Sequence, residues 1–235
     1  MMKYKWDIMK EKAVAILSGG LDSGVAMSSY VNDYDIYAIT FDYGQRAIES
    51  EIKASKALCD YYNIDHKVID LKWLGEISNS ALNSPNEIPK PSEEDLDDFK
   101  ESSESAKAVW VPGRNVVFTA IGCSFAESIK ARKIIVGWDL EEANTFPDNS
   151  KEFLNSFNDL IEIGSPDNIE VVAPLIDLNK DEIVKLGHEN NCPMELTYSC
   201  YEGEEIHCGE CESCMRRKRG FKKANVPDLT KYKSD

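Results

Sequence analysis

The sequence predicts an α/β protein, a doubly wound parallel sheet of about five strands followed by a small helical subdomain built on cysteines. Three observations lead there. Short apolar runs alternate with helical patterns through the first 190 residues. At 235 residues the chain is long enough to bury a full core, as one α/β domain with an appendage or as two small domains. Four of the seven cysteines crowd into residues 200–214.

The run AVAIL (13–17) reads as the first strand, with a helix from about Ser23 to Val31. IYAIT (36–40) is the second strand, and a helix over 47–62 keeps Ile48, Ile52, Ser55 and Leu58 at helical spacing. HKVIDL (66–71) is the third strand, VVFTAIGCSFAESI (116–129) an apolar helix and KIIVGW (133–138) the fourth strand. EFLNSFNDLIEI (152–163) is helical, EVVAPL (170–175) is the fifth strand and KDEIVKLGHEN (180–190) a short helix. Such alternation implies a parallel sheet covered on both faces. Ligands of such sheets sit beyond the carboxyl ends of the strands. That rule singles out the loops 18–23, 41–46 and 137–149. The main domain is expected to run over 1–191 and the subdomain over 192–235. The segment 86–105, with eight acidic and two basic residues, interrupts the alternation and reads as a surface excursion, either a lid or disorder.

Charge and cysteine placement narrow the function. With 42 Asp+Glu against 27 Lys+Arg the net charge is −15, which disfavours non-specific binding of a nucleic acid. The N-terminal MMKYKWDIMKEK carries charges with no h-region behind it, and no apolar run approaches membrane-spanning length. A soluble, cytoplasmic protein without a membrane partner is expected. A secreted disulfide framework would spread paired cysteines along a shorter chain.

The stretch LSGGLDSG (17–24) joins the first strand to the first helix. A loop in that place gathers backbone N–H groups into a nest at a helix N-terminus, which suits phosphate. Gly19 and Gly20 let the backbone approach a ligand, and Ser18 and Ser23 add hydroxyl donors. Asp22 would repel phosphate unless a divalent ion joined them, so it argues for Mg²⁺. Neither G-x-x-x-x-G-K-[ST] nor G-x-G-x-x-G is present. A structural turn decorated with serines is the alternative for SGG alone.

Cys200, Cys208, Cys211 and Cys214 are spaced C-x₇-C-x₂-C-x₂-C, the donor set of a tetrahedral Zn²⁺ site. An iron–sulfur cluster or redox-active thiols are the competing readings; His207 is the runner-up ligand, read as a neighbour only because it adjoins Cys208. The following MRRKRGFKK carries six basic residues in nine and is expected to be a helix offsetting the acidic body, with arginines near the phosphate site. Arg114 and Lys180 fall at helix N-termini, where a cation is unfavourable by about 0.3–1 kcal/mol. Their placement points to an outside anion; a solvated surface is the alternative.

The string S-G-G-x-D-S after a first strand resembles the loop of the ATP pyrophosphatase (PP-loop) superfamily, whose members cleave ATP between the α- and β-phosphates. Further motifs are FDYGQR (41–46), VWVPGRN (109–115), FPD with EFL (146–154) and PLIDLNKDEIVKLG (174–187). YSCY (198–201), CGECESCMRRKRGF (208–221) and PDLTKY (227–232) complete the set. In order and spacing they resemble the 7-cyano-7-deazaguanine synthase family over nearly the whole chain, and its archaeal branch in particular. The resemblance implies an adenine nucleotide alpha hydrolase-like, Rossmann-like fold and a ligase forming C–N bonds. It implies that 7-carboxy-7-deazaguanine, ammonia and ATP give 7-cyano-7-deazaguanine through an acyl-adenylate and an amide. It also implies a homodimer, and a product that feeds queuosine or archaeosine in tRNA.

On that resemblance the nucleotide is held by Leu17, Ser18, Gly19, Gly20, Leu21, Asp22, Ser23, Gly24, Val25 and Phe41, with adenine against the backbone at Phe41. Asp22, Lys180 and Arg114 act on the phosphates, and Gln45, Arg46, Asn115 and Asp148 on the substrate. The chain departs from the commonest bacterial pattern at Gly24, at Ala47, where histidine is usual, and at Asn149 and Ser150, where cysteine and arginine are. The rival readings are an adenylating enzyme with another acceptor (amide-forming, amine-coupling or tRNA-thiolating) and a non-catalytic zinc-ribbon module that binds nucleotide.

Overall fold

The computed structural model describes residues 10–233. The charged N-terminal stretch read above therefore lies, up to residue 9, outside the described residues. The chain runs β1 (Glu11–Ile16), α1 (Leu21–Ser28), β2 (Tyr34–Asp42), α2 (Ile48–Tyr62), β3 (Asp65–Asp70), α3 (Lys72–Glu76) and α4 (Phe99–Ala108). It continues α5 (Arg114–Ile129), β4 (Ala131–Ile135), α6 (Leu140–Ala143), α7 (Lys151–Gly164), β5 (Glu170–Val172), α8 (Lys180–Glu189) and α9 (Glu212–Ala224). The strands form one sheet in the order β3-β2-β1-β4-β5, every pairing parallel.

The expected doubly wound sheet is what forms, and the strand sequences show why. Side chains alternate across a strand, so Ala13, Ala15 and Leu17 join a core with α1, α2, α8 and α9. Val14 and Ile16 pack instead into the core beneath α5 and α7. A central strand covered on both faces has no polar side, and AVAIL has none. The order reverses between β1 and β4, and at that switch point the carboxyl ends open a crevice.

Local chemistry sets most boundaries. Asn63 closes α2 in the left-handed conformation, and Ser150 caps α7 by accepting the Phe153 amide. Asn179 and Glu182 form a reciprocal capping box on α8. Two strands stop earlier than read from sequence. The fourth ends at Ile135, because at Gly137 the chain passes so close to α1 that an added Cβ would lie 2.6 Å from the Ser23 nitrogen. The fifth ends at Val172, ahead of Pro174, which lacks the N–H a strand would use.

The acidic segment 86–105 has structure of its own. Ile88 and Leu96 are buried, and Asp98 caps α4 through the amides of Lys100 and Glu101. Arg219 and Lys222 of α9 pair with its Asp97 and Glu93. The C-terminal stretch likewise joins the main core, since Met194 and Phe221 pack with Val25, Leu58 and Ile183.

Replacing Gly137 by Ala will force the β4 end away from Ser23. The expected cost is about 1–3 kcal/mol. Thermal unfolding checks it, and an unchanged melting temperature would mean that the close approach at Gly137 does not constrain the fold.

Candidate functional site

The crevice at the switch point is a cavity of about 230 Å³. Its floor comes from the ends of β1 and β4: Ile16 to Ser18 on one side and Val136 to Trp138 on the other. The loop after β2, the first turns of α1, α2 and α5, and Tyr198 to Tyr201 form its walls.

At one end lies the glycine-rich loop. Gly19 takes a positive φ of 78°, and a side chain there would meet the Glu51 carbonyl, so only glycine fits. The Ser18 and Ser23 hydroxyls lie 3.0 Å apart, and Ser18 Oγ accepts the Gly20 amide. Gly20 starts α1 with no side-chain cap, so the first amides of that helix face the cavity without a protein acceptor. A positive helix end, two hydroxyls and no opposing side chain make a preformed anion cradle.

Beside the loop is a cluster of acids around one buried cation. Lys180 Nζ donates to Asp22 Oδ1 at 2.7 Å and to Asp139 Oδ2 at 2.9 Å. Burial opposes the lysine charge, but Asp139, Asp22 and Glu142 outweigh it and hold the ammonium well above its ordinary range. Burial raises Asp22, with Lys180 working against it. Burial and the neighbouring Asp139 push the Glu142 carboxyl up to about 8, against the pull of Lys180 and Arg114. This corrects the expectation drawn from the helix N-terminus, where Lys180 was read as waiting for an outside anion. Its charge is already met within the fold. Oxygens of Asp22, Asp139 and Glu142 lie within 4.8 Å of one another, a hard oxygen set that suits a divalent ion sharing its remaining positions with water and phosphate.

The other end of the cavity is aromatic and hydrogen-bonding. Phe41 and Phe118 stack with centroids 4.2 Å apart, next to Tyr43. Burial opposes the Arg114 charge, yet Tyr43, Asp148 and Glu142 keep the guanidinium protonated. Gln45 donates to Phe41 O and to Glu51 Oε2, and its own oxygen accepts the Tyr43 amide. Gln45 therefore braces the loop and orients Glu51. Burial pushes the Glu51 carboxyl up to about 7, against the pull of Gln45 and Arg114. Asn115 donates to the Asp148 carbonyl at 3.1 Å, while Asp148 Oδ1 and Asn149 Nδ2 are buried without a partner.

Several residues read from sequence lie elsewhere. Gly24 and Val25 turn into the core against Leu58 and Thr197 rather than toward the cavity. Arg46 is spent on the carbonyls of Ser84 and Asn86 and on Glu202. Ala47 and Asn149 line the cavity, and Ser150 is the α7 cap. Three acids were missed: Asp139, buried beside the cavity, and Glu142 and Glu51, which line it. The first two stand in a loop that the strand-end rule had marked, in GWDLEEAN. Nothing in the sequence separates Glu51 from the exposed Glu49, because the seating of α2 decides which reaches the cavity.

The cysteines converge as their spacing implied. The four Sγ atoms lie within 4.8 Å of one another, and the amides of Glu210 and Cys211 donate to Cys208 Sγ. Four thiols with such supporting bonds fit one tetrahedral ion. His207 is not among them: its Nε2 accepts the Ser199 amide, and burial lowers it to about 4, so the ring is neutral. Arg216 and Arg217 line a small recess with Asp22, Lys180 and Glu142.

A family model described as queuosine biosynthesis protein QueC matches residues 12–225. Curated relatives named 7-cyano-7-deazaguanine synthase are similar over nearly their whole length. That of Methanosphaera stadtmanae is 61% identical over 95% of this chain and 99% of its own. That of Methanobrevibacter smithii is 61% identical over 96% and 99%. That of Methanothermobacter thermautotrophicus is 54% identical over 94% and 99%.

Asp139→Asn leaves the buried ammonium of Lys180 with one anionic partner in direct contact. The expected loss is about 3–5 kcal/mol, measured by urea denaturation. A loss below about 1 kcal/mol would mean that the pair contributes little to holding α8 on the sheet.

Proposed function

The chain belongs to the queuosine biosynthesis protein QueC family, and from that membership we propose that it converts 7-carboxy-7-deazaguanine and ammonia to 7-cyano-7-deazaguanine at the expense of ATP. One observation carries the reading: a single cavity of about 230 Å³ joins an anion cradle, acids of the cluster around Lys180 and aromatic, hydrogen-bonding side chains.

A carboxylate is a poor electrophile, so the reaction begins by activating it. A carboxylate oxygen of the substrate attacks the α-phosphorus of ATP, and pyrophosphate leaves. Ammonia then attacks the acyl carbon, a proton is lost and AMP departs, leaving the amide. The amide oxygen attacks a second ATP in the same way. Loss of AMP and a proton from that adduct gives the nitrile.

The protein supplies position and charge. The Ser18 and Ser23 hydroxyls and the uncapped amides of α1 would bind the leaving pyrophosphate, where charge develops. Lys180 would hold Asp22 and Asp139 in place and offset their charge beside the triphosphate. Mg²⁺ bound by Asp22, Asp139 and Glu142 would supply further neutralisation of the phosphates. Arg114 would face the substrate carboxyl or the α-phosphate, and Asn115 and Asp148 would shape the recess. Adenine would lie along the backbone near Phe41. Zn²⁺ on Cys200, Cys208, Cys211 and Cys214 would tie the tail to α2 and take no part in the chemistry. No side-chain nucleophile is needed. The working form would be a cytoplasmic homodimer; among the described residues no helix is long and apolar enough to cross a membrane.

Mass spectrometry of the purified protein with 7-carboxy-7-deazaguanine, ATP, Mg²⁺ and ammonium is expected to find the nitrile, with AMP released twice per turnover. Amide alone, or no turnover beside intact ATP binding, would assign another acceptor. Removing the metal, or Cys211→Ser, is expected to abolish the cooperative thermal transition. A native transition in metal-free protein would show that the cysteine cluster is dispensable for folding.

A further inference from the structure

Glu51 is the acid in the cavity that phosphate chemistry does not use. It stands in the first turn of α2 and lines the cavity, with its backbone carbonyl against Gly19, its carboxylate beside Gln45 and Arg114, and no place in the acid group of Asp22, Asp139 and Glu142. Gln45 donates to its Oε2 at 2.7 Å, and Gln45 is itself pinned by the Phe41 carbonyl and the Tyr43 amide. Its Oε1 makes no hydrogen bond among the described residues, and Oε2 keeps a second lone pair. Such a carboxylate is a rigid pair of acceptors aimed into an aromatic recess. The donors nearby point the other way in chemical sense: Arg114 is charged, and Asn149 Nδ2 is buried with no acceptor. The recess thus offers both acceptors and donors to a ring.

A guanine-type ring presents the matching pattern. Its N1–H and 2-amino group are adjacent donors, and its carbonyl, with a carboxyl on the neighbouring five-membered ring, supplies acceptors away from them. We propose that Glu51 is the specificity-determining residue for the base, its carboxylate accepting the ring N1–H and the exocyclic 2-amino group. This rests on the reaction proposed above. Anchoring the donor edge at Glu51 turns the carboxyl to the far side of the ring, where a second negative charge avoids the first. It also rejects an adenine-type ring, whose unprotonated N1 would face the carboxylate. The raised carboxyl of Glu51 fits this role, since two new donors favour its ionised form.

Steady-state kinetics with 7-carboxy-7-deazaguanine and with its analogue lacking the 2-amino group test the proposal, on the native protein and on Glu51→Gln. The native protein should prefer the amino-bearing base by ~10–100-fold in kcat/KM. In Glu51→Gln that preference should fall to within about threefold, while KM for ATP stays within about twofold and the melting temperature is kept. Glu51→Asp, which retains the carboxylate, should recover part of the preference. Undiminished discrimination in Glu51→Gln would overturn the proposal and leave the reaction standing. So would a variant whose KM for ATP rises more than about tenfold while the preference between the two bases stays above about threefold, since that places Glu51 at the nucleotide. Failure of the native protein to turn over either base would overturn the reaction and this assignment with it.

Discussion

The buried ammonium of Lys180 is the point on which the rest of the molecule depends. Its two carboxylate partners come from different places, Asp22 from the phosphate-loop helix and Asp139 from the loop beyond β4. The lysine itself starts α8, so one side chain joins both sides of the switch point to the helix that covers them. Glu141 extends the network by accepting the Lys180 backbone amide and pairing with Arg216 and Arg219 of α9. Arg219 continues it to Asp97 in the acidic segment. Close packing enforces the geometry, since a Cβ at Gly220 would lie 2.7 Å from Lys180 Cγ. Ion pairs of this kind gain little net stability over apolar packing, but they tolerate few alternative arrangements.

A site that handles triphosphate needs its charges placed before the ligand arrives. Here Lys180 offsets part of the charge of Asp22 and Asp139, and the helix end beside them has no side-chain cap. The overall acidity of −15 does not extend to that end, where hydroxyls and amides predominate. Separation of the two ends of the cavity follows from the same layout. On the proposed reading, phosphate chemistry would fall at Asp22 and Lys180, and ring recognition at Phe118, Tyr43 and Glu51.

The C-terminal stretch serves the site more than its sequence suggested. The Tyr198 amide donates to the Gly19 carbonyl and so helps hold the phosphate loop in its strained turn. Arg217, fully buried, bonds Thr197, Ser199 and the Met194 carbonyl, and it lies over the Phe221 ring. The arginines of the basic run are therefore consumed inside the protein, against Glu141 and Glu212 near the site and Asp97 of the acidic segment, while Lys222 and Lys223 stay exposed. Cys200, Cys211 and Cys214 pack with Ala47 and Ala54 of the α2 region, which seats the tail against the helix that carries Glu51.

By itself the sequence determined the strand–helix order, the parallel sheet, the phosphate loop and the cysteine cluster. These are local signals: hydrophobic period, glycine and serine at a strand–helix junction, and thiols a few residues apart. The resemblance of its motifs also singled out Asp22, Lys180 and Arg114; in the structure Lys180 bonds Asp22, and Arg114 lines the same cavity as Asp22. Only the tertiary structure decided the partners. Asp139 meets Lys180 across 41 positions, and Gln45 proves to be a brace for Glu51 rather than a free hand. It turned Gly24 and Val25 into the core and tied Arg46 to the segment at 84–86. The reason is that a side chain's charge state and direction depend on what other elements bring to it. No periodicity within a single segment encodes where that segment will be seated.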